Sequence, residues 1–316
     1  MDSTRRDFVK KITASASAAP FFTFPFNSWL QSEDSNNKLN ISIFSKHLQF
    51  LDYKTTGEMA SEMGFSGVDL TVRPKGHVLP ELVKTDLPKA INNIKTGGSS
   101  CKMITTSIES VDNPLDVDII ETAAKSGVEF YRSHWFKYQE GKTMDASLEF
   151  YQEEIKKLGE LNKQNNIIGC YQNHAGTDVG SAFWEIKKIL ETADSNHFGT
   201  QYDIRHAIAE GGYSWQNGLK LLQPHIKVIV LKDFKWGKVN GKLKALNTPI
   251  GEGMVDFITY FRLLKKYGLQ PPVSLHLEYP LGGAEKGLSK ITVDKKVVFD
   301  AMKKDLNAVQ TLWEQA

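Results

Sequence analysis

Eight short apolar, β-branched runs recur along this chain, each followed by a stretch with helical spacing of its apolar residues. They read as strands near 39–45, 66–72, 101–107, 127–134, 166–174, 198–203, 225–232 and 272–278. The intervening helical faces are clearest at Leu148, Tyr151, Ile155 and Leu158, and at Phe183, Ile186 and Leu190. A last face carries Phe299, Met302, Leu306, Val309 and Trp313. Eight strand–helix units in about 280 residues predict an α/β fold closed as a single-domain (β/α)8 TIM barrel over 38–316. An open doubly wound sheet would carry a glycine-rich phosphate turn after its first strand; Phe44-Ser45-Lys46-His47 stands there instead.

Active sites of parallel barrels lie at the C-terminal ends of the strands. Ionisable residues should be scarce in strands unless paired or functional. Here seven strand ends carry them. The first ends Ser45-Lys46-His47, and the second offers Asp69, Thr71 and Arg73 with alternating spacing, followed by His77. The fourth offers Arg132 and His134, the fifth Gln172 and His174, and the sixth Asp203 with His206 beyond it. The seventh ends Lys232-Asp233, and the eighth offers His276 and Glu278 on one face.

The first 37 residues read as a separate segment. Arg5-Arg6, Phe8 and a weakly apolar stretch from Ile12 to Phe26 resemble a twin-arginine export signal, followed by a polar linker from Gln31 to Asn37. The stretch is too short and polar for a membrane span, which takes about 20 apolar residues. The expected location is periplasmic, or otherwise outside the cytoplasm. Lys and Arg total 39 against 37 Asp and Glu, so global charge gives no reason to expect a nucleic-acid partner. Cys101 and Cys170 read as small buried hydrophobes on non-neighbouring strands.

Taken in order, Gly67-Val68-Asp69-Leu70-Thr71, Tyr171-Gln172-Asn173-His174, Asp203-Ile204-Arg205-His206, Lys232-Asp233 and Leu277-Glu278-Tyr279-Pro280 resemble the xylose-isomerase-like barrels. That group includes sugar isomerases and epimerases, inosose dehydratases and endonuclease IV. The resemblance implies a carbohydrate substrate and proton transfer next to a carbonyl. It also implies a divalent metal (Mg, Mn or Zn) held by Glu, Asp, His and Glu on successive strands. Here those positions are Gln172, Asp203, Val230 and Glu278, so two of the four are altered. Gln172 is neutral and Val230 cannot ligate; His174, His206 or His276 could compensate.

On this reading Glu278, His174 and Lys232 are the catalytic candidates. Arg73, Arg132, His134, His206 and His276 would bind substrate. Gln172, Asp203 and Glu278 would be the metal ligands. Losing one of two carboxylates favours a one-base reaction, either isomerisation or β-elimination from a keto-sugar, over two-base epimerisation. A keto-glycoside lyase and a sugar-binding protein without catalysis are the alternatives. Bland roles compete with these: an Asp69–Arg73 ion pair, capping or surface roles for His47 and His77, and a helix cap for Asp203. Trp184 and Trp313 read as core, and Lys235–Lys244 as a solvated loop.

Overall fold

Each of the eight apolar runs becomes a strand of one closed parallel barrel in the computed structural model, which describes residues 38–316. The barrel strands are β1 (Ile41–Phe44), β2 (Gly67–Val72), β3 (Met103–Thr106), β4 (Phe130–Arg132), β5 (Ile168–Gln172), β6 (Phe198–Asp203), β7 (Ile226–Leu231) and β10 (Val273–Leu275). They neighbour one another in chain order, and β10 closes on β1 through Ile41↔Val273 and Ile43↔Leu275. A two-stranded antiparallel sheet, β8 (Asp233–Val239) and β9 (Lys242–Thr248), stands apart. The arginine pair and the expected export segment lie outside the described residues.

The strands are shorter than the apolar runs. His134, His174 and Glu278 fall beyond the last paired residue and belong to loops at the barrel mouth. Strand alternation therefore does not govern where their side chains point.

Nine helices among the described residues follow the strands: α1 (Tyr53–Met63), α2 (Val83–Thr96), α3 (Pro114–Lys125), α4 (Met144–Asn165), α5 (Phe183–Ile189), α6 (Ile204–Gly211), α7 (Trp215–Leu222), α8 (Phe257–Lys266) and α9 (Lys295–Gln315). Several begin at a side-chain cap. Asp52 accepts from Thr55 N at 2.8 Å, Thr143 from Ala146 N at 3.2 Å and Asp256 from Thr259 N at 3.0 Å. Residues such as Val68, Leu70, Ile229 and Leu231 are buried in the main core together with helical residues such as Leu158, Ile186, Met302 and Val309. Met103, Cys170 and Val228 form a separate small cluster with Phe130 and Ile168 packed on it. Cys170 and Val228 share strand faces with Gln172 and Val230, so this cluster is the apolar floor beneath the mouth. Both cysteines are buried and free.

Two expectations need correction. Trp184 is 69% exposed: on α5 the buried stripe is Phe183, Ile186 and Ile189, and the position after Phe183 is turned away from it. The segment expected as a loop from Lys235 to Lys244 is mostly the β8–β9 hairpin. Its turn is Asn240-Gly241, with φ of 51° and 76°, the left-handed pair a tight hairpin requires. Alternation of Lys with apolar residues hid it, because both faces carry exposed side chains. Asp233 then anchors the following segment, accepting from Gly251 N at 3.0 Å, Gly253 N at 2.9 Å and Val255 N at 3.1 Å.

Tyr171 ties two mouth loops together. Its hydroxyl donates to Val179 O at 2.6 Å and accepts from Phe136 N at 2.9 Å, with the side chain fully buried. Tyr171→Phe should leave both backbone groups unpaired and cost about 1–3 kcal/mol, measured by urea unfolding. An unchanged midpoint and slope would show that the loops satisfy themselves otherwise.

Candidate functional site at the barrel mouth

A chain of polar contacts crosses the mouth from β4 to β1. Arg132 Nη1 donates to Gln172 Oε1 at 3.1 Å, and Gln172 Nε2 donates to Asp203 Oδ2 at 2.8 Å. The Lys232 ammonium lies 3.1 Å from Asp203 Oδ2 and 3.7 Å from Glu278 Oε1. Lys46 Nζ reaches the same Glu278 oxygen at 3.6 Å, and His276 Nδ1 at 3.8 Å. Arg132, Gln172, Asp203, Lys232 and His276 are all buried, while Glu278 keeps a quarter of its side chain exposed.

Register explains the convergence. Asp203 pairs with Val230, Leu231 with Leu275, and Ile43 with Leu275. Lys46, in the short turn after β1, and Glu278, in the loop after β10, then leave neighbouring strand ends and meet at 3.6 Å. Closure of the barrel thus makes the first and last strand ends neighbours. Lys46 was not among the sequence candidates; the Ser45-Lys46-His47 strand end was the available signal.

Below this row lies a second one. Asp69 accepts from Ser274 Oγ at 2.6 Å and from Thr105 Oγ1 at 3.0 Å, and His276 Nε2 meets Ser274 Oγ at 3.0 Å. Because the Ser274 hydroxyl donates to Asp69, it accepts from His276, so Nε2 carries the proton and Nδ1 offers its lone pair towards Glu278. The Asp69–Arg73 ion pair does not form. Asp69 spends its oxygens on hydroxyls, and Arg73 stacks on Phe44, its guanidinium carbon 5.5 Å from the ring centre. Phe44 in turn stacks on His276 at 4.1 Å.

The opposite side is a row of rings. Arg132 lies 4.3 Å from the Trp135 ring centre, Trp135 lies 4.1 Å from His174, and His174 lies 4.1 Å from His206. His206 Nδ1 accepts from Ala175 N and faces Arg205 Nη1, both at 3.1 Å, which leaves the proton on Nε2. That Nε2, together with Arg132 Nε and His276 Nδ1, has no hydrogen-bond partner among the described residues. Such buried atoms are the natural contacts for a polar ligand. Arg205 and Ser274 are further participants that the strand-end rule did not single out.

Two histidines stand elsewhere. His134 sits on the rim, 3.5 Å from Glu109, and does not converge with the row. His47 is fully buried, correcting the surface expectation: Nδ1 faces Ala284 O at 3.3 Å and Nε2 accepts from Leu277 N at 3.0 Å. It pins the loop after β10 that presents Glu278. Asp203 does cap α6, with Oδ1 accepting from His206 N at 3.1 Å.

Electrostatics separates the two mouth carboxylates. Burial pushes the Asp203 carboxyl up, and Lys232 only partly opposes it. At Glu278 burial also pushes up, but the Lys232 and Lys46 ammoniums outweigh it and hold the carboxyl well below its usual range. Burial lowers His174 to about 4 and His276 to about 3, so both rings are neutral at pH 7.

The donor set does not fit a divalent metal. Gln172 Oε1 is occupied by Arg132, and turning the amide over would set N–H groups against the guanidinium. Val230 is apolar at the register position of Asp203. An ammonium already bridges Asp203 and Glu278. Among the described residues no three His, Cys, Asp or Glu side chains are grouped to hold an ion.

Folding with neutral His174 has a pH signature. Its folded pKa of about 4 lies below the unfolded value near 6.5, so the unfolded chain binds more protons between them. Its contribution is complete above pH ~6.5 and is lost as pH falls towards 4. His174→Phe should flatten the pH dependence of the urea midpoint in that window. Parallel curves for the two proteins would show that His174 is not held neutral.

Comparison with known proteins agrees with the geometry. Residues 58–292 match the family described as xylose isomerase-like TIM barrel. An inosose dehydratase of Mesomycoplasma hyopneumoniae is 36% identical over 100 residues, which span only 32% of this chain and 32% of that relative. A magnesium-bound xylose isomerase-like barrel protein from Mycobacterium smegmatis superposes with a TM-score of 0.64 at 12% identity, covering 88% of this chain and 98% of that one. D-psicose 3-epimerase from Clostridium cellulolyticum, solved with D-tagatose, gives 0.66 at 12% identity over 87% and 99%. With three-quarters of its length matched and its barrel closed in the same way, the chain belongs to the xylose isomerase-like TIM barrel family.

Proposed function

We propose that this protein is a carbohydrate enzyme that moves a proton next to the carbonyl of a keto-sugar or keto-polyol with a single base, Glu278. The observation that carries this reading is the inequality of the two mouth carboxylates. Asp203 is fully buried and its oxygens are taken by Gln172, Lys232 and the backbone of His206. Glu278 remains partly exposed, with ionic contacts no closer than 3.6 Å. One accessible carboxylate suits isomerisation or elimination, in which the same group can take and return a proton. Two-face epimerisation would need a second base, and Asp203 is tied down.

In this mechanism the substrate carbonyl lies towards Lys232 and Arg132, whose N–H groups stabilise the developing enolate oxygen. Glu278 removes the adjacent carbon-bound proton. Returning it to the former carbonyl carbon, while the adjacent hydroxyl proton passes to the former carbonyl oxygen, completes an isomerisation. Delivering it to a β-hydroxyl expels water and leaves an enone. The His276 Nδ1 lone pair facing Glu278 steadies the protonated carboxyl between these steps. The partly exposed Trp135 gives the mouth an aromatic surface for a sugar beside Arg132 and His174. The similarity to an inosose dehydratase supports the elimination branch, and that to sugar epimerases supports the class of substrate.

Glu278→Gln keeps shape and removes the base. Wild-type protein should exchange the α-protons of keto-sugars or inosose for deuterium in D2O, followed by NMR. The variant should lose about 10²-fold or more in that rate while melting normally. Exchange that persists per folded molecule in the variant would sink the assignment of Glu278.

We also propose export through the twin-arginine route, on the strength of Arg5-Arg6, Phe8 and the mild apolar stretch that follows. Changing both Arg5 and Arg6 to Lys should hold the protein in the cytoplasm, scored by cell fractionation. Periplasmic delivery at the wild-type level would remove this reading.

A further inference from the structure

We infer that the Lys232 ammonium occupies the seat of a divalent ion among these strands, so that the barrel carries its electrophilic cation as a covalent part of the chain. The inference deepens the proton-transfer reading and rests on it for the purpose of the cation, but not for its position. Position comes from contacts. Among the described residues Lys232 Nζ is the one group that touches both Asp203 and Glu278, at 3.1 and 3.7 Å. The residue is 3% exposed, so the charge is held inside the mouth and not at its edge.

The neighbours have the composition such a replacement needs. Val230, opposite Asp203 in register, puts an apolar side chain near the end of β7, two residues before Lys232. Gln172 removes one negative charge from the ring and turns its oxygen to Arg132. Its amide donates to Asp203 Oδ2, the oxygen that Lys232 also contacts. Lys46 adds a second positive charge on Glu278 at 3.6 Å. Two monovalent cations thus balance Asp203 and Glu278, the charge a single divalent ion would supply.

The exchange alters the chemistry in a definable way. A metal polarises a carbonyl oxygen by direct coordination, while an ammonium does so by hydrogen bonding and by charge. It also has three donor hydrogens, enough for Asp203, Glu278 and one substrate oxygen. Lys232 is accordingly a catalytic residue by contact with substrate, and Gln172 and Lys46 are positioning residues.

Metal binding tests this without reference to turnover. Full-length protein incubated with MnCl2, CoCl2 or ZnCl2 and then dialysed should retain well below one ion per chain by mass spectrometry. Its melting temperature should be the same with and without EDTA. One tightly held ion per chain, with a melting temperature that EDTA lowers, would overturn the inference. The Val230→His, Lys232→Met double variant should free the seat and bind Mn2+ at least about tenfold more tightly than the wild type by calorimetry. A double variant that is folded by circular dichroism and shows no such gain would also overturn it. Should that variant not fold, the wild-type measurement alone decides. The two readings fail separately. A metal-free protein that exchanges no α-proton sinks the reaction and leaves the cation seat intact. A metal-bound protein that does exchange sinks the seat alone.

Discussion

The ammonium of Lys232 between two carboxylates is the interaction on which the mouth of this barrel depends. An isolated charge at 3% exposure would be too costly to keep. Asp203 and Glu278 make it tolerable, and they are in turn held by Gln172, by the α6 N-terminus and by Lys46. Removing one member of such a buried set leaves the others uncompensated, a loss of roughly 3–5 kcal/mol where burial is deep. The network is therefore collective. It links six consecutive strand ends of the closed sheet, and each member has its orientation set by the next.

Beneath it lies the apolar floor of Met103, Cys170 and Val228. The Asp69–Ser274–His276 row fixes one ring tautomer, and the Ala175–His206–Arg205 contacts fix another. These are neutral histidines with assigned donors and acceptors, which suits them to orient a polar substrate and to support proton movement at Glu278. The mouth loops that carry Phe136, Val179 and Glu278 are held by buried side chains, Tyr171 on one side and His47 on the other. Precision at the site thus depends on groups that touch no substrate.

Several residues show how a strand-end rule succeeds and where it stops. Asp203, Lys232, His276 and Arg132 were all visible because a buried charge at the end of an apolar run needs a reason. Lys46 was passed over: its run is the first, and nothing near it in sequence says that the barrel will close Glu278 onto it. Arg73 and Asp69 looked like partners two turns of alternation apart, but hydroxyls from β3 and β10 satisfy Asp69 instead. Trp184 was misplaced by its size, since a large aromatic beside a buried stripe is easily taken for part of it.

By itself the sequence determined the eight strand–helix units, their order, and the stock of charged and aromatic groups at one end of the barrel. Those are local matters of periodicity, and short-range side-chain patterning encodes them. Only the tertiary structure decided that Gln172 turns its oxygen to Arg132, that Lys232 bridges Asp203 and Glu278, and that β8 and β9 pair as a hairpin. Those outcomes depend on closure, on the register between strands distant in sequence, and on loop paths beyond the last paired residue. A pattern within one strand cannot specify them, because the energy that selects them comes from the neighbouring strand.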